Sequence, residues 1–162
     1  MIFLTVGTQF PFDRLVKAVD VAAGAGRICD EIYAQIGNSA YRPRNFEYIK
    51  FLEKRLFDDC VEKASRIISH AGIGTIAMAM DSNKPLLVMP RLKKYGEVVN
   101  DHQVAIAQRF EEMGYVFAVY DTDQFQQKIG EFLSFVSRPR GNNAEAVIDR
   151  ITRFLNYVEI SI

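Results

Sequence analysis

Short apolar runs alternate along this chain with longer stretches in which apolar residues recur every three or four positions, the signature of strands alternating with amphipathic helices. Residues 2–6 read as a buried strand that ends at Gly7. Pro11 sits near the start of a helix carrying Phe12, Leu15, Val16, Val19 and Ala23, and Gly24 and Gly26 end it. Residues 31–36 form the second predicted strand, stopped by Gly37-Asn38, and 46–52 a third, shorter one. Leu56, Cys60, Val61 and Ala64 mark one face of a helix. A fourth strand closes on Ser69-His70, and a glycine turn leads from it into a helix predicted over 75–82. Residues 85–89 are the fifth strand, closed by Pro90. The polar, basic stretch 91–100, with Gly96 inside it, reads as a mobile loop. From Asp101 a helix carries Val104, Ala105, Ala107, Phe110 and Met113 to a stop at Gly114. Residues 115–120 are the sixth strand, and Asp121 or Asp123 caps a helix bearing Phe125, Ile129, Phe132 and Leu133. A break rich in Pro and Gly at 137–142 precedes a last helix, about 143–157, whose apolar face packs on the domain or on a partner.

This alternation predicts an α/β fold: a Rossmann-like, mostly parallel sheet with helices on both faces and right-handed crossovers. No repeat, low-complexity tract or interior linker divides the chain, so residues 1–162 are expected to form a single domain. In such a sheet, ligands bind beyond the carboxyl ends of the strands. The loops expected there begin at Gly7-Thr8-Gln9, Gly37-Asn38-Ser39, Ser69-His70-Ala71-Gly72 and Pro90.

Composition narrows the classes. With 49% hydrophobic and 25% charged residues the chain is globular, and its formal net charge of zero argues against a nucleic-acid binder working by bulk positive charge. Cys29 and Cys60 lack metal-ligand spacing and read as reduced thiols of a cytoplasmic protein. No apolar run approaches the length that spans a bilayer, so work at a membrane would need something else to hold the chain there.

The candidate chemistry gathers at one edge. Gly72 and Gly74 let the turn after the fourth strand come close to a ligand, and Thr75 opens the helix behind it. Such a turn either presents unpaired N–H groups to an anion such as a phosphate, or merely permits strand and helix to pack. Both histidines, His70 and His102, fall at this edge, His102 within Asn100-Asp101-His102-Gln103. A P-loop, a G-x-G-x-x-G turn after the first strand and a G-x-S-x-G elbow are all absent from the sequence. His70, Asp101 and His102 lack diagnostic metal spacing, and no metal site is expected.

At His70-Ala-Gly-Ile-Gly-Thr75, Pro90 and Asn100-Asp-His-Gln103, the sequence resembles the carboxyl-terminal, donor-binding domain of GT-B glycosyltransferases of family 28. The likeness begins at Val6-Gly-Thr8, continues through Ser69-His-Ala-Gly72 and Asn83-Lys-Pro85, and ends around Gly114-Tyr115. It extends to stand-alone subunits that comprise only this half: the catalytic subunit of the split eukaryotic UDP-N-acetylglucosamine transferase, and bacterial exopolysaccharide subunits of the PssE type. The resemblance implies that the sheet is equivalent to the carboxyl-terminal half of a GT-B enzyme. It implies that His70, Gly72, Gly74 and Thr75, with Gly7, Thr8 and Gln9 from the neighbouring loop, hold the diphosphate of a UDP-sugar. It assigns Asn100, Asp101, His102 and Gln103 to the sugar. It further implies inversion at the anomeric carbon, no cofactor or metal, and a general base supplied by the missing half. That half would be a membrane-anchored, acceptor-binding partner presenting a polyprenyl-diphosphate-linked glycan, which would place the chain at the inner face of the membrane. Arg91, Lys93 and Lys94 then either meet phosphates of the donor or the membrane surface, or form a solvated basic loop. Met78 stands where many relatives carry a ribose-gripping glutamate. A non-catalytic stabilising subunit keeps the same fold without the chemistry, and a nucleotide-sugar epimerase acting as a homodimer is the third reading.

Overall fold

A computed structural model describes residues 1–139 and Arg153. The helix expected over 143–157 therefore lies outside the described residues, Arg153 apart. Six parallel strands form one sheet in the order β3-β2-β1-β4-β5-β6. They are β1 (Ile2–Thr5), β2 (Ile32–Gln35), β3 (Glu47–Ile49), β4 (Arg66–His70), β5 (Leu86–Met89) and β6 (Phe117–Ala118). Helices α1 (Asp13–Gly24), α2 (Lys54–Lys63), α3 (Ile73–Asp81), α4 (His102–Glu112) and α5 (Thr122–Ser134) connect or follow them.

Successive side chains on a strand point to opposite faces, so each strand feeds two cores. On one face Ile2, Leu4, Ile68 and Leu87 pack with Leu15, Val16 and Val19 of α1 and Phe125, Ile129 and Phe132 of α5. On the other, Phe3, Ile67, Leu86 and Val88 pack with Val61, Ile76, Ala79, Met80, Ile106 and Phe110 of α2, α3 and α4. Burial on both faces is why β1, β4 and β5 read as unbroken apolar runs. The register is continuous across the centre: Leu4 pairs with Ile68, and Ile68 with Leu87.

The chain winds from β1 outward through β2 to β3, then returns to the other side of β1 and winds outward through β5 to β6. The direction reverses between β1 and β4. A reversal splays the connecting loops apart and leaves a crevice beyond the strand ends. The loop after β1 and the turn after β4 face each other across it.

Within residues 1–139 the expected elements are all present, with shifted bounds. The strand expected over 46–52 contracts to Glu47–Ile49, whose residues are exposed at the sheet edge. The strand expected over 115–120 pairs only at Phe117 and Ala118, against Leu87 and Val88. Helix α3 starts at Ile73, two residues before the expected Thr75, because Ile76 N–H already finds the Gly72 carbonyl at 3.0 Å. Asp121, rather than Asp123, caps α5 by accepting Gln124 N–H at 2.8 Å. The largest difference is the stretch 91–100. It holds a short 3-10 turn, Lys93–Tyr95, and buries Arg91 and Glu97.

Candidate functional site

Ser69 and His70 end β4 opposite Thr5, the last residue of β1. The Ser69 side chain is fully buried, and its hydroxyl donates to the Thr5 carbonyl at 2.5 Å. His70 Nδ1 lies 3.1 Å from the same Oγ. With the hydroxyl proton committed to Thr5, Oγ acts as acceptor and His70 carries its proton on Nδ1, an assignment made from the hydrogen-bond network. Nε2 then bears an open lone pair. Burial first, and the positive charge of Arg91 second, pull the imidazole down to about 3, so the ring is neutral at physiological pH.

The ring occupies space that two glycines vacate. A Cβ on Gly72 would lie 2.4 Å from His70 Nε2, and a Cβ on Gly7 would lie 3.1 Å from Cε1. Gly7 also adopts φ +75°, a conformation that side-chain-bearing residues rarely take. These glycines thus fit the histidine between two turns. Gly74 meets nothing within 4 Å and lies exposed on the first turn of α3. Gly72 is the residue before that helix, and no side chain caps it. The first N–H groups of α3 therefore lack intrahelical acceptors beside the imidazole. Thr8 and Gln9 are exposed on the facing loop.

The second group of expected residues sits at the start of α4. Asn100 Oδ1 accepts His102 N–H at 3.4 Å and contacts His102 Nδ1. Asp101 Oδ1 accepts Lys93 N–H at 2.6 Å. Gln103 is buried, and its Oε1 accepts Arg91 N–H at 3.0 Å. The structure therefore gives the side chains of Asn100, Asp101 and Gln103 work in shaping the loop after β5, while His102 stays partly exposed at the helix mouth.

Arg91 joins the two groups, and its place corrects the reading of it as a basic residue on a solvated loop. It is only 3% exposed. One terminal nitrogen donates to the Val6 carbonyl at 2.5 Å and the Phe10 carbonyl at 2.8 Å, bracketing Gly7, Thr8 and Gln9. Lys93 and Lys94 are exposed, as expected. Beside Arg91, Arg14 Nε and Nη2 donate to the two oxygens of Glu97 at 2.9 and 2.8 Å. Glu97 Oε2 also accepts Leu92 N–H at 2.9 Å. This buried cluster carries no local sequence signal, because Arg14 and Glu97 are 83 positions apart.

Met78 is partly buried on α3, packs against the core and offers no polar group toward a ribose. It lines a groove of about 470 Å³ with Asp58, Val61, Glu62, Ser82 and Lys84. Those residues lie where α2 and α3 end, before β4 and β5 begin, so the groove is at the opposite end of the sheet from His70.

The fold agrees with the comparisons. The model of the glycosyltransferase family 28 C-terminal domain matches residues 1–155. The chain belongs to that family. Among curated family 28 relatives, the human UDP-N-acetylglucosamine transferase subunit ALG13 is 29% identical over 147 residues, covering 85% of this chain and 12% of its own length. The Eremothecium gossypii subunit of the same name is 34% identical over 115 residues, covering 70% of this chain and 53% of its own length. The chain thus spans little more than a tenth of the human relative and about half of the fungal one. Solved structures share the fold at low identity. The solution structure of ALG13 aligns with a TM-score of 0.60 at 18% identity, covering 90% of this chain and 91% of that one. The crystal structure of Acinetobacter baumannii MurG aligns with a TM-score of 0.58 at 18% identity, covering 93% of this chain and 49% of that one. Six parallel strands with helices on both faces match the carboxyl-terminal half of a GT-B architecture, as the family 28 resemblance implied.

Proposed function

We propose that this chain is the UDP-sugar-binding subunit of a two-component inverting glycosyltransferase. In this reading its partner is a membrane-anchored, acceptor-binding subunit, and the acceptor is a polyprenyl-diphosphate-linked glycan of exopolysaccharide or capsule synthesis. The observation that carries the reading is the meeting, at the β1/β4 reversal of a family 28 domain, of the Gly7 loop, the His70 imidazole and the uncapped start of α3.

In the reaction, an acceptor oxygen attacks the anomeric carbon from the face opposite the diphosphate. The bond from that carbon to the β-phosphate oxygen breaks, UDP departs with the electron pair, and the acceptor proton goes to a base on the partner. The helix-end N–H groups of α3 stabilise the charge that develops on the departing diphosphate without reorganising, and no metal ion is required. His70 contributes a hydrogen bond from Nε2. Because Nδ1–H is held by Ser69, this bond requires a second proton on the ring, and the negative diphosphate supplies the field that favours it. His102, partly exposed at the start of α4, and Asp101, exposed beside it, are the members of their group open to the sugar in this reading.

The test is reconstitution with the membrane partner, a panel of UDP-sugars and a lipid-linked acceptor. Transfer should require both chains and collapse in His70→Ala. Met78, apolar where the family 28 resemblance implies a ribose-gripping glutamate, favours a second reading in which the chain only stabilises its partner. Undiminished transfer by the His70→Ala pair would establish that reading instead.

A further inference from the structure

The charges under the Gly7 loop do not balance. The buried Arg91 and Glu97 and the partly buried Arg14 form one cluster, with both guanidinium groups against Phe12: Arg14 Cζ lies 5.2 Å and Arg91 Cζ 5.0 Å from its ring centroid. Two positive groups thus face one carboxylate, and that carboxylate is taken by Arg14 through two hydrogen bonds. Arg91 is left with the carbonyls of Val6 and Phe10, and its Nε has no hydrogen-bond partner among the described residues. A buried charge without a counter-ion costs free energy that packing must offset. Burial draws Arg91 down to about 10, against the pull of Glu97, so it remains charged at neutral pH.

The uncompensated charge has a definite position. Arg91 lies close enough to His70 to depress its proton affinity, and it holds the carbonyls on either side of Gly7, Thr8 and Gln9. An anion in the crevice would restore the balance. We propose that Arg91 is a positioning residue for the donor: from beneath the Gly7 loop it fixes that loop over the start of α3 and supplies the buried positive charge that a diphosphate neutralises. This rests on the UDP-sugar reading and adds to it a residue that does not touch the donor. The groups packed around His70 are consistent with one such charge. Thr5 and Gly7 of the β1 segment, Ser69 of β4 and Gly72 before α3 bear no ionisable side chain, and Arg91 follows β5.

The experiment uses the full chain with UDP, inorganic pyrophosphate and uridine as probes, binding being followed by calorimetry or NMR titration. Arg91→Met should weaken UDP binding by about tenfold or more, the scale of one close charge–charge interaction near a protein surface. Uridine binding should stay within about twofold, since uridine carries no phosphate. In the unliganded variant the His70 titration, read from imidazole nitrogen shifts, should move upward. Where Arg91→Met fails to fold, Arg91→Lys is read by UDP against uridine affinity, with a smaller loss for UDP and the His70 titration unchanged, because a lysine keeps the charge but not the paired carbonyl contacts. Parallel losses for UDP and uridine, unchanged UDP affinity, or an unmoved His70 titration in Arg91→Met would each overturn the proposal. A wild-type chain that binds neither UDP nor pyrophosphate would overturn the donor reading itself, and the role of Arg91 with it.

Discussion

His70 enters the crevice with its proton on the wrong nitrogen for a phosphate. Ser69 holds Nδ1–H, and Nε2 is a bare acceptor. Donor binding through this residue must therefore take up a proton. Burial and the Arg91 charge hold the imidazole at about 3, and a bound diphosphate would raise that value. UDP-sugar affinity should then strengthen as pH falls through the window between the raised, bound-state value and about 3, with a slope of at most one proton. Titration of UDP-sugar across pH 5 to 8 measures it, and His70→Ala should remove the slope. The same group bears on stability with a defined sign. Its folded-state value lies below the unfolded value of about 6.5, so the unfolded chain binds the extra proton first. The contribution is intact above about pH 6.5 and is lost as pH falls toward 3. Thermal melts of the unliganded chain should decline over that range, and less so in His70→Gln. Gly72 gives a further residue-scale test. Gly72→Ala places a methyl 2.4 Å from Nε2, so the ring must leave its seat; UDP affinity should fall about tenfold or more in a calorimetric titration while the circular dichroism stays native. The sequence exposed His70 and Gly72 as a motif. It did not disclose that the glycine makes room for the histidine itself, since that depends on a side-chain orientation no spacing encodes.

At the scale of elements, the strands and helices were legible because burial on two faces leaves a strong pattern: apolar runs for β1, β4 and β5, helical spacing for α1, α4 and α5. The weaker patterns misled in the expected direction. Edge strand β3 is exposed and short, so its apolar run overstated its length. The stretch after β5 was the real failure. Its Arg, Lys and Glu residues are polar locally, yet Arg91 and Glu97 are buried with partners on α1 and the loop between β1 and α1, more than eighty positions earlier. Local composition cannot see such pairing. The consequence is measurable. Glu97→Ala leaves the buried Arg91 and the partly buried Arg14 without a carboxylate and removes the acceptor of Leu92 N–H. It should cost about 3 kcal/mol in denaturant-unfolding experiments, the range for breaking a buried pair from one side. A loss within the few tenths typical of an exposed pair such as Lys54–Asp58 would show that the cluster is solvated.

Taken whole, the molecule gathers its candidate site at one edge of the sheet. The β1/β4 reversal brings the Gly7 loop against the His70 turn, and the loop after β5 closes the same side through Arg91 and Gln103. The fold class was readable from the order of elements alone. The crevice followed from topology, whereas the linkage of its two halves through Arg91 required coordinates. On the proposed donor-binding reading, with the acceptor and its base on a second wall, activity should appear only with the partner and should be unaffected by a chelator. The most direct measurement is an amide NMR titration of the isolated full chain with UDP. The account predicts that the shifts concentrate at Gly7, Thr8, Gln9 and residues 72–75, and that His70→Ala suppresses them. Saturable shifts centred instead on the Met78 groove, or no binding at millimolar UDP, would contradict it.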